Sequence, residues 1–365
     1  MRRARAVPIL ILAILLAACA AQPGTTTVSS PPSPTAAGTD ASEATSEPTA
    51  SPEASAAFEG HPAAGLALVQ FPEPGSPVSQ IYVVEDDGSL RQLADLNGGT
   101  GGRFPVWSPD RSQLAFGPPK VGFPGINGQI SVINADGSGE RVLGVGDFPV
   151  WSPDSTRLII HEKDDVTSDP FELWITDVAT GEIVAELGAG FRGQWIDDDT
   201  IAFTRTFQAD DGSYSDALYI QELDGSEPVQ LATEPMTEAY WSPDGSQVLL
   251  VREGSISVAE TDGSNPRDLA TGYSPVWSPD GTRVLLGYDT NADGLPVLAL
   301  VDLDGNEIWS GVVGAAPTWS PDGTRIAVEI VYPESMVQVI DAATGDVLWE
   351  VAASEPHWAS HYGGS

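Results

Sequence analysis

The chain has 365 residues, of which 52 are Asp or Glu and only 16 are Lys or Arg, giving a formal net charge of −36. That charge argues against nucleic acid and bare anionic lipid as partners, because repulsion acts at every approach. One cysteine in the whole chain excludes an internal disulfide.

The first element is a leader, residues 1–18. Arg2, Arg3 and Arg5 give a basic start, and Val7 to Leu16 form an apolar run too short to settle as a membrane-spanning helix. Leu16-Ala17-Ala18-Cys19 follows and resembles the lipobox of bacterial lipoproteins. The resemblance implies cleavage before Cys19, lipid on its sulfur, and an extracytoplasmic protein anchored to the cell membrane. Residues 19–60 are rich in Pro, Ser, Thr and Ala, with Phe58 as the only aromatic and no Lys or Arg. Such a segment cannot bury enough apolar surface to offset its ordering entropy. It reads as a tether, reaching about 35 Å as a flexible coil.

Residues 61–365 read as one repetitive domain. The word Trp-Ser-Pro-Asp recurs at Trp107, Trp151, Trp241, Trp277 and Trp319, and degenerate copies surround Trp195 and Trp358. A period near 42 residues suits one four-stranded propeller blade. A second signal keeps the same rhythm. Seven β-rich runs end in a Gly turn, from IYVVEDDG at 81–88 to VQVIDAATG at 337–345. Asp-Gly after such a run marks a hairpin.

Within the repeated word, Pro presets φ for one turn corner, Asp suits the next, and Gly accepts a left-handed exit. The word therefore joins an inner strand carrying Trp to the next strand, and the indole packs between blades. The repeated carboxylates Asp110, Asp154, Asp244, Asp280 and Asp322 read as turn residues and not as catalysts. Three strands precede the first Trp word, and Trp358 has no full blade after it. The expectation is an all-β, seven-bladed β-propeller closed by pairing of a C-terminal strand near 355–360 with the first blade. Six and eight blades are the alternatives.

The pattern P-x-W-S-P-D-G, a short β run and then D-G, over about residues 63–360, resembles the WD40-like or TolB-type propeller repeat of bacterial envelope proteins. The resemblance implies the fold and leaves the activity open.

Strand direction alternates within a blade, so the WSPD and DG turns share one face. The irregular loops share the other, which is the usual place for binding. Arg103, Lys120, Phe123, His161, Phe191, Arg192 and Tyr273 are the candidate binding residues there, because basic and aromatic groups are scarce in this chain. Asp289, Asn291 and Asp293 alternate before Gly294 as in a calcium loop. Calcium is the one cofactor suggested, although Val297 and Leu300 stand where further ligands would come. The four histidines show no zinc spacing. The functional expectation is a monomeric, non-enzymatic scaffold that binds an envelope protein or a cell-wall glycan. The rival is a polysaccharide lyase or hydrolase with its site in the central channel.

Overall fold

The computed structural model describes residues 61–70, 79–96, 105–117, 128–162, 172–208, 214–231, 238–291, 294, 296–330 and 335–358. Among them there are strands and turns and no helix. The strands form seven four-stranded antiparallel sheets, one per blade. The inner strands of blades 2 to 7 are Val106–Trp107, Asp147–Trp151, Phe191–Trp195, Glu238–Trp241, Tyr273–Trp277 and Ala315–Trp319. Each leads outward through three further strands before the next blade begins. Blade 1 draws on both ends of the domain. Its outer three strands are Ala67–Gln70, Ser79–Val84 and Leu90–Leu96, and Ser354–His357 pairs with Ala67–Gln70 through Ala67↔His357 and Val69↔Ser354.

The five WSPD turns repeat one hydrogen-bond set. The Ser hydroxyl donates to the Asp carboxylate at 2.5–2.7 Å. The same oxygen accepts the amide five residues on, and the Asp oxygen accepts the amide two residues on. The residue after Asp closes the turn onto the Ser carbonyl and is left-handed, with φ between 61° and 69°. Gly245, Gly281 and Gly323 fill that position without strain, whereas Arg111 and Ser155 do so with a Cβ. A non-glycine residue there costs about 1–2 kcal/mol, of which glycine's larger unfolded-state entropy offsets part. Arg111→Gly is therefore expected to stabilise the domain and raise its melting temperature by about 1–2 °C, as read by differential scanning calorimetry.

The core lies between blades. Trp151, Trp195 and Trp277 each donate the indole N–H to a carbonyl of the preceding inner strand, those of Val106, Val150 and Tyr240, at 2.9–3.1 Å. Arginine braces the same seams. Arg157, Arg283 and Arg325 each stand six residues after a Trp. Each places its guanidinium 5.1–5.7 Å from the indole of the next blade, over Trp195, Trp319 and Trp358. Each also donates to a carbonyl of that blade, those of Asp198, Gly323 and Pro62. On the outer strands Arg91, Arg141 and Arg267 reach the carbonyls of Ala135, Val178 and Leu303 across their seams.

The Arg325–Pro62 bond shows what stands in blade 1 in place of the repeated turn. Blade 1 has no WSPD word, and His61 to Gly65 lie where that turn would be. They receive Arg325 as Gly323 receives Arg283, and the Ala64 carbonyl accepts the Trp358 indole at 3.1 Å. Residue 61 therefore sits on the turn face, opposite the irregular loops.

Candidate functional site

The loop-side mouth is set by one backbone device. Three residues before the inner-strand Trp the chain turns left-handed at Phe148 (φ 50°), Arg192 (55°), Ser274 (47°), Ala316 (44°) and Glu355 (51°). At each of these places the pairing slips against the neighbouring strand. Blade 5 has Glu238 at the corresponding position without the left-handed turn, and the blade 2 counterpart lies outside the described residues. Such bulges bend the strand and re-aim its side chains. Each non-glycine residue held there costs about 1–2 kcal/mol. Five strained residues thus stand around the axis, where glycine would remove both the strain and the side chain.

The side chains at and beside these bulges are fixed by local bonds. Phe148 is 39% exposed, and its ring meets the ring of His161 edge-on at 6.4 Å. Phe191 lies under the Arg192 guanidinium at 5.8 Å. Arg192 pairs with Glu238 at 2.9 Å, and the other Glu238 oxygen accepts the Tyr240 hydroxyl at 2.8 Å. Burial, then the Glu238 charge, pushes the Tyr240 phenol well above its ordinary range. Tyr273 is 37% exposed. Its ring presses on Gly287, where a Cβ would come within 2.5 Å of it, and its hydroxyl donates to the Asp289 carbonyl at 2.8 Å. The Glu329 carboxylate accepts the Glu355 amide at 3.1 Å. Burial raises the Glu329 carboxyl above its usual range, with only that amide opposing.

Phe191, Arg192 and Tyr273 thus belong to this mouth, as their place before each Trp requires. His161 does not belong to its exposed surface. The sequence suggests a loop residue, but the strand Arg157–Glu162 includes it and it is 5% exposed. Its Nδ1 bonds the Phe148 carbonyl at 3.0 Å and its Nε2 accepts the Gly193 amide at 3.1 Å, so it ties the bulges of blades 3 and 4 together. Arg103, Lys120, Phe123, Asp293 and Cys19 lie outside the described residues. Asp289 lies in the strand Arg283–Thr290, opposite Val297, where its carboxylate accepts the Thr290 amide, and just beyond the strand the Asn291 carbonyl accepts the Gly294 amide. Among the described residues no three His, Cys, Asp or Glu groups cluster as metal ligands.

The turn carboxylates and His357 give the domain a pH profile. For Asp110, Asp154, Asp280 and Asp322 burial pushes upward, yet the bonds from Ser and from the Ser or Thr two residues on outweigh it and hold each below the usual range. For Asp244 the Ser242 and Ser246 bonds dominate in the same direction. A lowered carboxyl contributes stability above its unfolded pKa of about 3.9 and loses it as pH falls through the folded value. His357 accepts the Trp107 amide on Nδ1 at 3.3 Å, and burial pushes its pKa down to about 4. The unfolded chain takes up that proton from about pH 6.5 downward. The expected result is full stability above pH 6.5, a shallow fall to pH 4, and a steep fall below it. Denaturant midpoints measured across pH check this, and His357→Gln is expected to flatten the upper limb.

No protein-family profile and no curated protein sequence matches the chain. Solved structures do. TolB from Acinetobacter baumannii aligns with a TM-score of 0.50 and 14% identity, covering 78% of this chain and 84% of that one. A protein of unknown function from Desulfotomaculum acetoxidans reaches 0.52 at 14%, covering 81% and 98%. An oligogalacturonate lyase from Vibrio parahaemolyticus reaches 0.52 at 15%, covering 70% and 80%. At such identities the likeness is one of fold: the chain is a seven-bladed β-propeller.

Proposed function

We propose that this chain is a recognition module, a lipid-anchored extracytoplasmic propeller that binds an envelope protein or a cell-wall glycan across its loop-side mouth. The observation that carries the reading is the ring of bulges, which holds Phe148, Arg192 and Tyr273 at the mouth in strained or braced positions. Strain of this kind concentrates at functional surfaces, and rigid aromatics give contact area at little entropy cost. The described histidines are engaged with backbone. His61 accepts the Ala63 amide, His161 bonds Phe148 and Gly193, and His357 accepts the Trp107 amide. That favours binding over the rival lyase or hydrolase, whose support is the fold it shares with the Vibrio parahaemolyticus lyase.

The anchor follows from the leader and Cys19. Cys19→Ser is expected to move the protein from the membrane fraction to the soluble one. Chemical crosslinking in intact cells tests the mouth. The Phe148→Ala, Tyr273→Ala double variant is expected to lose a partner that the unaltered protein retains. An identical crosslinking pattern for both would remove the mouth from consideration, and turnover of polysaccharide would then favour the enzyme.

A further inference from the structure

We propose that the loop-side mouth takes a cationic, extended segment of a protein partner, with Lys or Arg side chains seated at Glu329 and Glu355 and along the exposed rings of Phe148, Tyr273 and Tyr288. This rests on the recognition reading above and names the chemistry of its ligand. Three observations converge on it. The exposed rings stand on blade 3 (Phe148) and blade 6 (Tyr273 and Tyr288, the latter 44% exposed), so a ligand touching both must extend across the axis. Aromatic faces attract ammonium and guanidinium groups, and the stems of those side chains cover apolar surface.

The second observation is charge. Glu238, Asp289, Glu329 and Glu355 stand at the loop-side ends of blades 5, 6, 7 and 1, and Arg192 is already matched by Glu238. The chain as a whole carries a net charge of −36, which repels polyanions and attracts cations. The third is the state of Glu329. It is half-buried on Arg325–Ile330, and among the described residues no cationic side chain pairs with it and its one bond is to the Glu355 amide. A carboxylate drawn out of water without a counter-charge gains more from an incoming cation than an exposed one does. The Asp residues of the turn face differ. Their oxygens already accept a Ser hydroxyl and a backbone amide.

The test uses the full chain in detergent and a fluorescein-labelled dodecapeptide of alternating lysine and glycine, with an alternating glutamate and glycine peptide as control. Fluorescence anisotropy at 0.15 M salt is expected to give a Kd below about 100 µM for the lysine peptide only. Tyr273→Ala and Glu329→Gln are each expected to weaken it about tenfold. Tyr273→Phe keeps the ring and is expected to weaken it less than about threefold. Glu140→Gln with Glu227→Gln on the turn face is expected to leave binding unchanged. No binding up to 1 mM peptide, or equal loss from the turn-face pair, overturns the proposal. Binding of chitotetraose with the same dependence on Tyr273 overturns it too. In that case the recognition reading stands and the ligand is a neutral glycan.

Discussion

A chain ending at Ala353 is expected to lose its cooperative unfolding transition, and a synthetic peptide of residues 354–365 to restore it. The four residues Ser354–His357 and the adjoining Trp358 serve three sets of contacts. They pair with Ala67–Gln70 in blade 1. Toward blade 7, Trp358 is 2% exposed, shares a core with Leu66 and Leu68 of blade 1 and Val337 and Val339 of blade 7, and receives Arg325 over its ring. Toward blade 2, His357 accepts the Trp107 amide. Loss of a buried Trp alone costs about 3–5 kcal/mol, and removing the strand opens two seams and exposes the edge of Ala67–Gln70. That is a large part of a typical domain's stability of about 5–15 kcal/mol. Chemical denaturation followed by Trp fluorescence reads the result. A truncated chain with the full-length midpoint would mean that the C-terminal strand decorates the ring and does not close it.

The second large effect is expected at Arg325. Its side chain is 7% exposed, whereas Arg157 and Arg283, in the same role, are 19% and 22% exposed. It donates to the Pro62 carbonyl at 2.6 Å, pairs with Asp322 at 3.2 Å and lies 5.7 Å from the Trp358 ring centre. The ion pair contributes little, because Asp322 is 40% exposed and water screens it. The larger part is the carbonyl left without its donor and the packing lost over the indole, together about 2–4 kcal/mol for Arg325→Met. Arg325→Lys is expected to recover less than half, since an ammonium cannot stack on the ring and bond both oxygens at once. Arg157→Met and Arg283→Met should cost less, in keeping with their exposure. Equal and small losses at all three positions, measured by urea titration, would mean that the arginines fill surface and do not brace seams.

Much of this fold was legible because each blade repeats the same chemistry at the same spacing. The inner-strand Trp and the Ser-Pro-Asp turn after it have one structural use each, so their recurrence sets the blade number and the strand order. The arginine braces were legible too, as Arg157, Arg283 and Arg325 six residues after a Trp. The sequence reading missed them because scarce basic residues invite a binding role. Most arginines described here hold blades to one another instead. His161 was misjudged for a related reason. It follows an apolar run and begins a polar one, and nothing in its type shows that the strand continues through it.

The bulges were the least legible feature. A left-handed residue is normally signalled by Gly or Asn, and here the positions hold Phe, Arg, Ser, Ala and Glu. Only their constant distance from Trp marks them as equivalent. That distance also explains why Phe191 and Tyr273, picked out as scarce residue types, occupy corresponding places four residues before Trp195 and Trp277, with Arg192 beside the first.

The most direct measurement is positional photocrosslinking in intact cells, with p-benzoylphenylalanine placed singly at Phe148, Tyr273, Glu140 and Glu227. The first two positions stand at the mouth and the other two on the turn face. A recognition propeller that reads its partner across the mouth predicts one discrete adduct from Phe148 and Tyr273 and none from Glu140 or Glu227. An adduct confined to the turn-face positions would contradict it, and would make the acidic turns the contact surface of this propeller.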